Sequence, residues 1–225
     1  MLHYRSVYNP TMRILCMSDI HSNFEAFDPD AMPDADMCAI AGDITEYGHS
    51  RAKKYGGAFR RGIEWLAAMG ARQPTFVIPG NHDIGVRNGD FAGIPGVVGL
   101  LNRRADCLGF SLYGVSLSPT YNMPRMARIF DLMTIDHDEE DRTYDFEPVD
   151  IVISHAPPLG VLDQICDKDA KHPGPNIGSE ALLRYIERHG PKLVVCGHVH
   201  NEAGRQMVGS TLVVNASKTW CVLEL

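Results

Sequence analysis

Short apolar runs recur along the chain, and most stop abruptly at polar residues. Arg13-Ile14-Leu15-Cys16-Met17 runs into Ser18-Asp19-Ile20-His21-Ser22-Asn23. Asp36-Met37-Cys38-Ala39-Ile40-Ala41 stops at Gly42-Asp43, and Thr75-Phe76-Val77-Ile78 stops at Pro79-Gly80-Asn81-His82-Asp83. Asp150-Ile151-Val152-Ile153 delivers Ser154-His155-Ala156-Pro157-Pro158, and Lys192 to Cys196 delivers Gly197-His198-Val199-His200. Runs without alternation, rich in Val and Ile, predict strands buried on both faces. Further strands are expected at Phe110 to Val115, Thr211 to Val214 and Trp220 to Leu223.

Helical spacing appears between these runs. Ser50 reads as the cap of a helix running to about Gly70, with Phe59, Ile63, Leu66 and Ala67 on one face; Gly56-Gly57 weakens its first turns. A second helix is expected from Ser179 to Arg188, stopped by Gly190-Pro191. Met126 to Met133 also has helical spacing, whereas the acidic run Asp136 to Asp141 reads as a solvated loop or helix start. Strand, helix and strand in succession predict parallel βαβ units. No repeat, linker or low-complexity tract divides the chain. Residues 1–11 are expected to be a loosely held extension and residues 12–225 one domain.

Composition narrows the class. Of 225 residues, 44% are apolar and 22% charged, as in a soluble globular protein with a sizeable core. No apolar stretch approaches the roughly 18 residues of a membrane span. The first eleven residues lack an apolar segment of the kind that opens a secretory leader, which predicts a cytoplasmic protein without membrane partners. The six cysteines form no C-x-x-C pair and predict reduced thiols. A formal charge of −7 argues against affinity for long nucleic acid. It leaves a small phosphoester substrate open, because bound divalent ions reverse the local sign of a cleft.

Five of the ten histidines sit behind strand-like runs, together with Asp19, Asp43 and Asn81. Each piece is weak alone, since Asp-x-His and Gly-Asp are common and a loop histidine is ordinary. Their conjunction points to metal chemistry. Imidazole, carboxylate and amide oxygen suit Mn²⁺, Fe²⁺, Zn²⁺ or Ni²⁺, and thiolates are missing from the set. Asp19, His21, Asp43, Asn81, His155, His198 and His200 are too many ligands for one ion. They suit two ions sharing a carboxylate, with Asp43 the natural bridge. Glycine before Asp43, Asn81 and His198 is expected to let the backbone turn and come close.

The ordered set D-x-H, G-D, G-N-H-D, H and G-H-x-H, from Asp19 to His200, resembles the calcineurin-like metallophosphoesterases. The resemblance implies an α/β fold, a four-layer αββα sandwich of two mixed sheets flanked by helices. It implies that Asp19, His21, Asp43 and His200 hold a first ion, and Asp43, Asn81, His155 and His198 a second. It also places His82 beside the ions as proton donor or phosphate contact. Gly42-Asp43-Ile44-Thr45-Glu46, Ser154 to Gly160 and Asn215-Ala216-Ser217 resemble the small MPPED-type phosphodiesterases, which act on cyclic nucleotides and related diesters. Met123 to Phe146 departs from that branch.

The resulting expectation is a phosphodiesterase with two divalent ions, Mn²⁺ foremost, acting on a small nucleotide diester through a hydroxide held between the ions. Asp43 and His82 are the catalytic candidates. Asn23 and His82 are the substrate contacts, with His49, His172 and Tyr121 as weaker rim candidates. Open alternatives are a phosphomonoesterase or protein phosphatase, a non-catalytic protein-binding scaffold, and, against the charge, a nuclease.

Overall fold

The computed structural model describes residues 11–49, 57–116, 118–119, 134–135, 142–165 and 174–225. Two mixed β-sheets face each other across an apolar core. The first sheet contains β1 (Arg13–Met17), β2 (Met37–Ile40), β3 (Thr75–Val77), β4 (Val97–Gly99) and β13 (Trp220–Glu224), in the order β13-β1-β2-β3-β4. β1 to β4 are parallel and β13 is antiparallel to β1. The second contains β5 (Arg104–Cys107), β6 (Phe110–Val115), β9 (Ile151–Ser154), β10 (Leu193–Cys196), β11 (Gly204–Val208) and β12 (Thr211–Asn215), in the order β11-β12-β10-β9-β6-β5. Its four inner strands are parallel and both edges antiparallel. Two short strands, β7 (Ser118–Pro119) and β8 (Thr134–Ile135), pair apart from both sheets.

Why the strand runs lack alternation is now visible. Ile14, Cys16 and Ala39 face Ile151, Ile153, Leu193 and Val195 between the sheets. Their neighbours Leu15, Met17, Cys38 and Ile40 face outward onto helix α1 (Ala58–Arg72), through its Trp65, Leu66 and Met69. On the far side Val152, Val194 and Val213 face α3 (Glu180–His189), through its Leu182, Tyr185 and Ile186. Both faces of the inner strands are therefore dry. Each fully buried aliphatic side chain contributes about 1.5–3 kcal/mol. The order helix, sheet, sheet, helix is the expected four-layer sandwich.

α3 matches its sequence signals. Ser179 accepts a hydrogen bond from Leu182 N, and Gly190 closes the helix in the left-handed region at φ 56°. α1 differs from expectation. It is capped by Gly57 at φ 89° and begins at Ala58; Ser50 lies outside the described residues. Its buried stripe passes through Gly62, Trp65, Leu66 and Met69, with Phe59 and Ile63 only partly covered. Trp65 fixes this rotation by donating Nε1–H to Phe27 O at 2.7 Å. The short helix α2 (Asn88–Phe91) and the edge strands β5 and β11 carry mixed or exposed side chains, so no apolar run announces them. The stretches Met126 to Met133 and Asp136 to Asp141 lie outside the described residues. Among the described residues, no helix is long and apolar enough to cross a membrane.

Candidate metal centre

The parallel strands β1, β2 and β3 of one sheet and β9 and β10 of the other end along one rim, where open α/β sheets keep their ligands. Their loops are laced together there. Asp19 N–H donates to Gly42 O at 3.0 Å, His21 N–H to Asp43 O at 2.9 Å, and Gly197 N–H to His155 O at 3.0 Å. Other bonds cross between the sheets. His198 N–H donates to Asp19 Oδ2 at 2.9 Å, and His155 Nδ1 stands 2.7 Å from Ala41 O.

The backbone accepts strain to present these side chains. Of nine non-glycine residues with positive φ among those described, Asp19, His21, Ser22, Asp43 and His198 belong to this rim. Such conformations cost about 1–3 kcal/mol each and persist only where the surroundings impose them. The three glycines serve two different ends. Gly42, at φ 98°, supplies a turn that L-residues resist. Gly80 and Gly197 supply room instead, since a Cβ on Gly80 would collide with the Asp43 carboxylate and one on Gly197 with Ser18 and Asp19.

All seven sequence-derived ligand candidates converge, in two groups. In the first, His200 Nε2 lies 3.0 Å from Asp19 Oδ1 and 3.1 Å from His21 Nε2. In the second, Asn81 Oδ1 receives His155 Nε2 at 2.8 Å and His198 Nδ1 at 2.9 Å. Asp43 stands between the two groups, its Oδ2 3.6 Å from His21 Nε2 and 3.5 Å from His155 Nε2. Asp19, Asp43 and His155 are buried, and three groups, Asp19 with His21 and His200, Asp19 with Asp43 and His155, and His21 with Asp43 and His82, are tight enough to enclose an ion.

A neutral His155 does not reconcile these contacts. A carbonyl oxygen only accepts, so His155 Nδ1 carries the hydrogen toward Ala41 O. In the neutral ring Nε2 is then a bare lone pair, yet it faces two acceptors, Asn81 Oδ1 and Asp43 Oδ2. His21 Nδ1 is buried without an aligned hydrogen bond, although Glu46 Oε2 is 2.8 Å away. Acceptors gathered around common points call for a cation between them, which is a proton on His155 in the metal-free site and fits divalent ions when they are bound.

The electrostatics agree. Burial pushes the Asp19 carboxyl up, but hydrogen bonds from His200 and His21 more than reverse this and hold it well below the usual carboxylate range. Burial likewise works against Asp43, which the charge of His155 holds down. Burial disfavours a charged His155, but Asp43 lifts its imidazole to about 9. His198 is driven the other way, to about 4, by burial and by the nearby His155 charge. The carboxylates remain charged, and one imidazole must hold a proton whenever no other cation is present.

Three residues that the sequence motifs contain, but to which the sequence assigned no role, support the site. Asp83 is a buried clamp: Oδ1 accepts from Thr45 N–H and Thr45 Oγ1–H at 2.8 Å each, and Oδ2 from Ile44 N–H and Gly80 N–H at 3.0 Å each. Burial and the Asp43 charge lift its carboxyl to about 6, against these four donors. Glu46 spans His21 and His82, with Oε1 3.6 Å from His82 Nδ1. Asn215 steadies the loop of His198 and His200 by donating to Val199 O at 3.0 Å. The acidic residue of G-N-H-D and the Asp-x-x-Glu spacing of Asp43 and Glu46 were the available signals.

His82 presents its ring edge to His21 with centroids 4.7 Å apart, and its backbone N–H donates to Asp43 Oδ1 at 2.7 Å. Asn23 occupies the turn beyond His21; its side chain is exposed and its N–H bonds Ile20 O. His49 turns to Asp90 at 2.9 Å and lies against Phe59, so it belongs to the α1–α2 surface. His172 and Tyr121 lie outside the described residues.

Residues 12–202 match the family described as calcineurin-like phosphoesterase. Metallophosphoesterase domain-containing protein 1 of Homo sapiens is 30% identical over 238 residues, covering 91% of this chain and 65% of its own length. The chain thus spans just under two thirds of that relative. A UPF0046 protein of Caenorhabditis elegans is 24% identical, covering 93% of this chain and 70% of its own. Among solved structures, the Thermus thermophilus protein TT1561 superposes with a TM-score of 0.60 at 18% identity, covering 92% and 89% of the two chains. Phosphopantetheinyl hydrolase from Mycobacterium tuberculosis gives 0.58 at 15% identity, also covering 92% and 89%. At these identities the structural likeness concerns the fold.

Proposed function

The chain belongs to the calcineurin-like phosphoesterase family, and from that premise we propose that it is a two-metal phosphodiesterase for small or cyclic nucleotide diesters. One observation carries the proposal: Asp43 Oδ2 sits 3.6 Å from His21 Nε2 and 3.5 Å from His155 Nε2, between two groups of ligand atoms. A shared carboxylate is what paired cations require.

Asp19, His21 and His200 form one half of the cage and Asn81, His155 and His198 the other, with Asp43 common to both. Bound divalent ions supply charge neutralisation for phosphoryl oxygens and acidify water toward neutrality, Mn²⁺ being the foremost candidate. Ala41 O fixes the His155 ring so that Nε2 faces inward. His198 N–H and His200 together hold the Asp19 carboxylate in place. His82 delivers a proton to the leaving oxygen, a task suited to imidazole near neutral pH. Its backbone N–H gives it a second task, orienting Asp43. The formal charge of −7 supports a small substrate over a long polyanion.

Assay of the Mn²⁺-loaded protein on bis-p-nitrophenyl phosphate and p-nitrophenyl phosphate tests this reading. Preference for the diester is expected. Preference for the monoester would replace the diesterase reading with a phosphomonoesterase. Cleavage of neither ester by metal-loaded protein would favour the scaffold.

A further inference from the structure

Away from the metal rim, on the outer side of the second sheet, a cleft opens between α3 and the turn at residues 142–145. It encloses about 330 Å³, a volume within the range of small-molecule sites. Ala181, Arg184, Tyr185, Arg188 and His189 form one wall, and Arg142, Tyr144 and Asp145 the other. The α3 residues fall at i, i+3, i+4, i+7 and i+8, which is one face of the helix.

The floor of the cleft is aromatic and held in place. Tyr144 and Tyr185 are buried. Tyr144 Oη stands 3.0 Å from Ser154 Oγ, and Tyr185 Oη accepts Val149 N–H at 3.2 Å. The Tyr185 ring packs against Phe146 and His189, with centroids 4.4 and 4.7 Å away. The rim is cationic, with three guanidinium groups to one carboxylate in a chain whose formal charge is −7. Glu180 offsets part of that charge by pairing with Arg184 at 2.9 Å; among the described residues, Arg142 and Arg188 make no ion pair. Arg188 and His189 suit the negative end of the α3 dipole. Arg142 comes from the opposite wall, where the dipole gives no reason for it.

We propose that this cleft is a second ligand site, separate from the metal centre, that binds a phosphate group, either free or carried by a small organic molecule. Guanidinium forks match phosphate oxygens in both charge and geometry. The tyrosine floor offers an apolar surface to the body of an organic phosphate. The site stands independently of what the metal centre hydrolyses.

Phenylglyoxal modifies accessible guanidinium groups, and peptide mass mapping of the Mn²⁺-loaded full chain reads which of them a ligand covers. Inorganic phosphate, AMP, adenosine and potassium chloride at matched ionic strength are compared. Phosphate and AMP should each slow modification of Arg142 and Arg188 about tenfold once present at about ten times their Kd. The exposed Arg60 and Arg61 of α1 should react at an unchanged rate. Protection at lower concentration by AMP identifies an organic phosphate as the occupant, and equal protection a free phosphate. The same protection is expected in Asp43→Asn, which separates this cleft from phosphate held at the metals and from turnover of AMP. Arg142→Gln combined with Arg188→Gln should keep the Tm and Mn²⁺ content of the unsubstituted chain. In the Asp43→Asn background that pair should weaken phosphate binding about tenfold by calorimetry. Equal protection by potassium chloride or adenosine, protection of neither arginine, or unchanged phosphate affinity in the double variant would overturn the proposal.

Discussion

His155 aims Nε2 at the amide oxygen of Asn81 from 2.8 Å, while its other nitrogen is committed to Ala41 O. Without a metal, the contact requires a proton on Nε2. Burial opposes that proton, but the Asp43 charge lifts the imidazole from 6.5 to about 9 and keeps it there at neutral pH. A folded value above the unfolded one stabilises the protein below about pH 6.5, and that contribution is lost as pH rises through about 9. Metal-free protein should therefore lose thermal stability across this window, and metal loading should remove the loss. Loading near pH 7 should also release about one proton per chain. Calorimetric titration in buffers of different ionisation enthalpy reads the proton directly.

Asp83→Asn tests the clamp between the Asp43 loop and the Asn81 loop. The amide keeps one acceptor but turns an NH₂ toward two of the four donors now satisfied. We expect a loss of about 2–3 kcal/mol, read by urea unfolding, and a Tm lower by about 4–12 °C. An unchanged Tm would remove Asp83 from the account of how the loops are held together.

Glu46 lies 2.8 Å from His21 Nδ1, and that buried nitrogen makes no aligned hydrogen bond. Glu46→Gln removes the charge that supports the His21 ring. Supporting residues of this kind typically contribute about 10–100-fold in metal affinity, and we expect about tenfold weaker Mn²⁺ binding with the fold intact by circular dichroism. Equal affinity in the variant would confine Glu46 to the surface of the site.

The inner layers were legible because the residues report burial. Ile14 to Met17 and Leu193 to Cys196 are apolar on both faces, and only a strand between two covered surfaces calls for that. The convergence of the seven candidate residues was legible because polar residues followed each run. β5 and β11 were not, since exposed edge strands such as Arg104–Cys107 need only half a face of apolar side chains. Asp83 and Glu46 were given no role for another reason. Their roles depend on which loops meet, Thr45 against Asp83 and His21 against Glu46, and those meetings are tertiary. The role of glycine was half legible: the turn at Gly42 follows from its position, but the room left by Gly197 for Asp19 does not.

Metal content is the most direct test of a shared carboxylate. The unsubstituted chain and Asp43→Asn are each loaded with Mn²⁺, desalted and analysed by inductively coupled plasma mass spectrometry. Two ions per chain are expected for the former, with both weakened and diesterase activity abolished in the latter, because Asp43 Oδ2 lies beside His21 and His155 alike. Two ions retained by Asp43→Asn with normal turnover would contradict it.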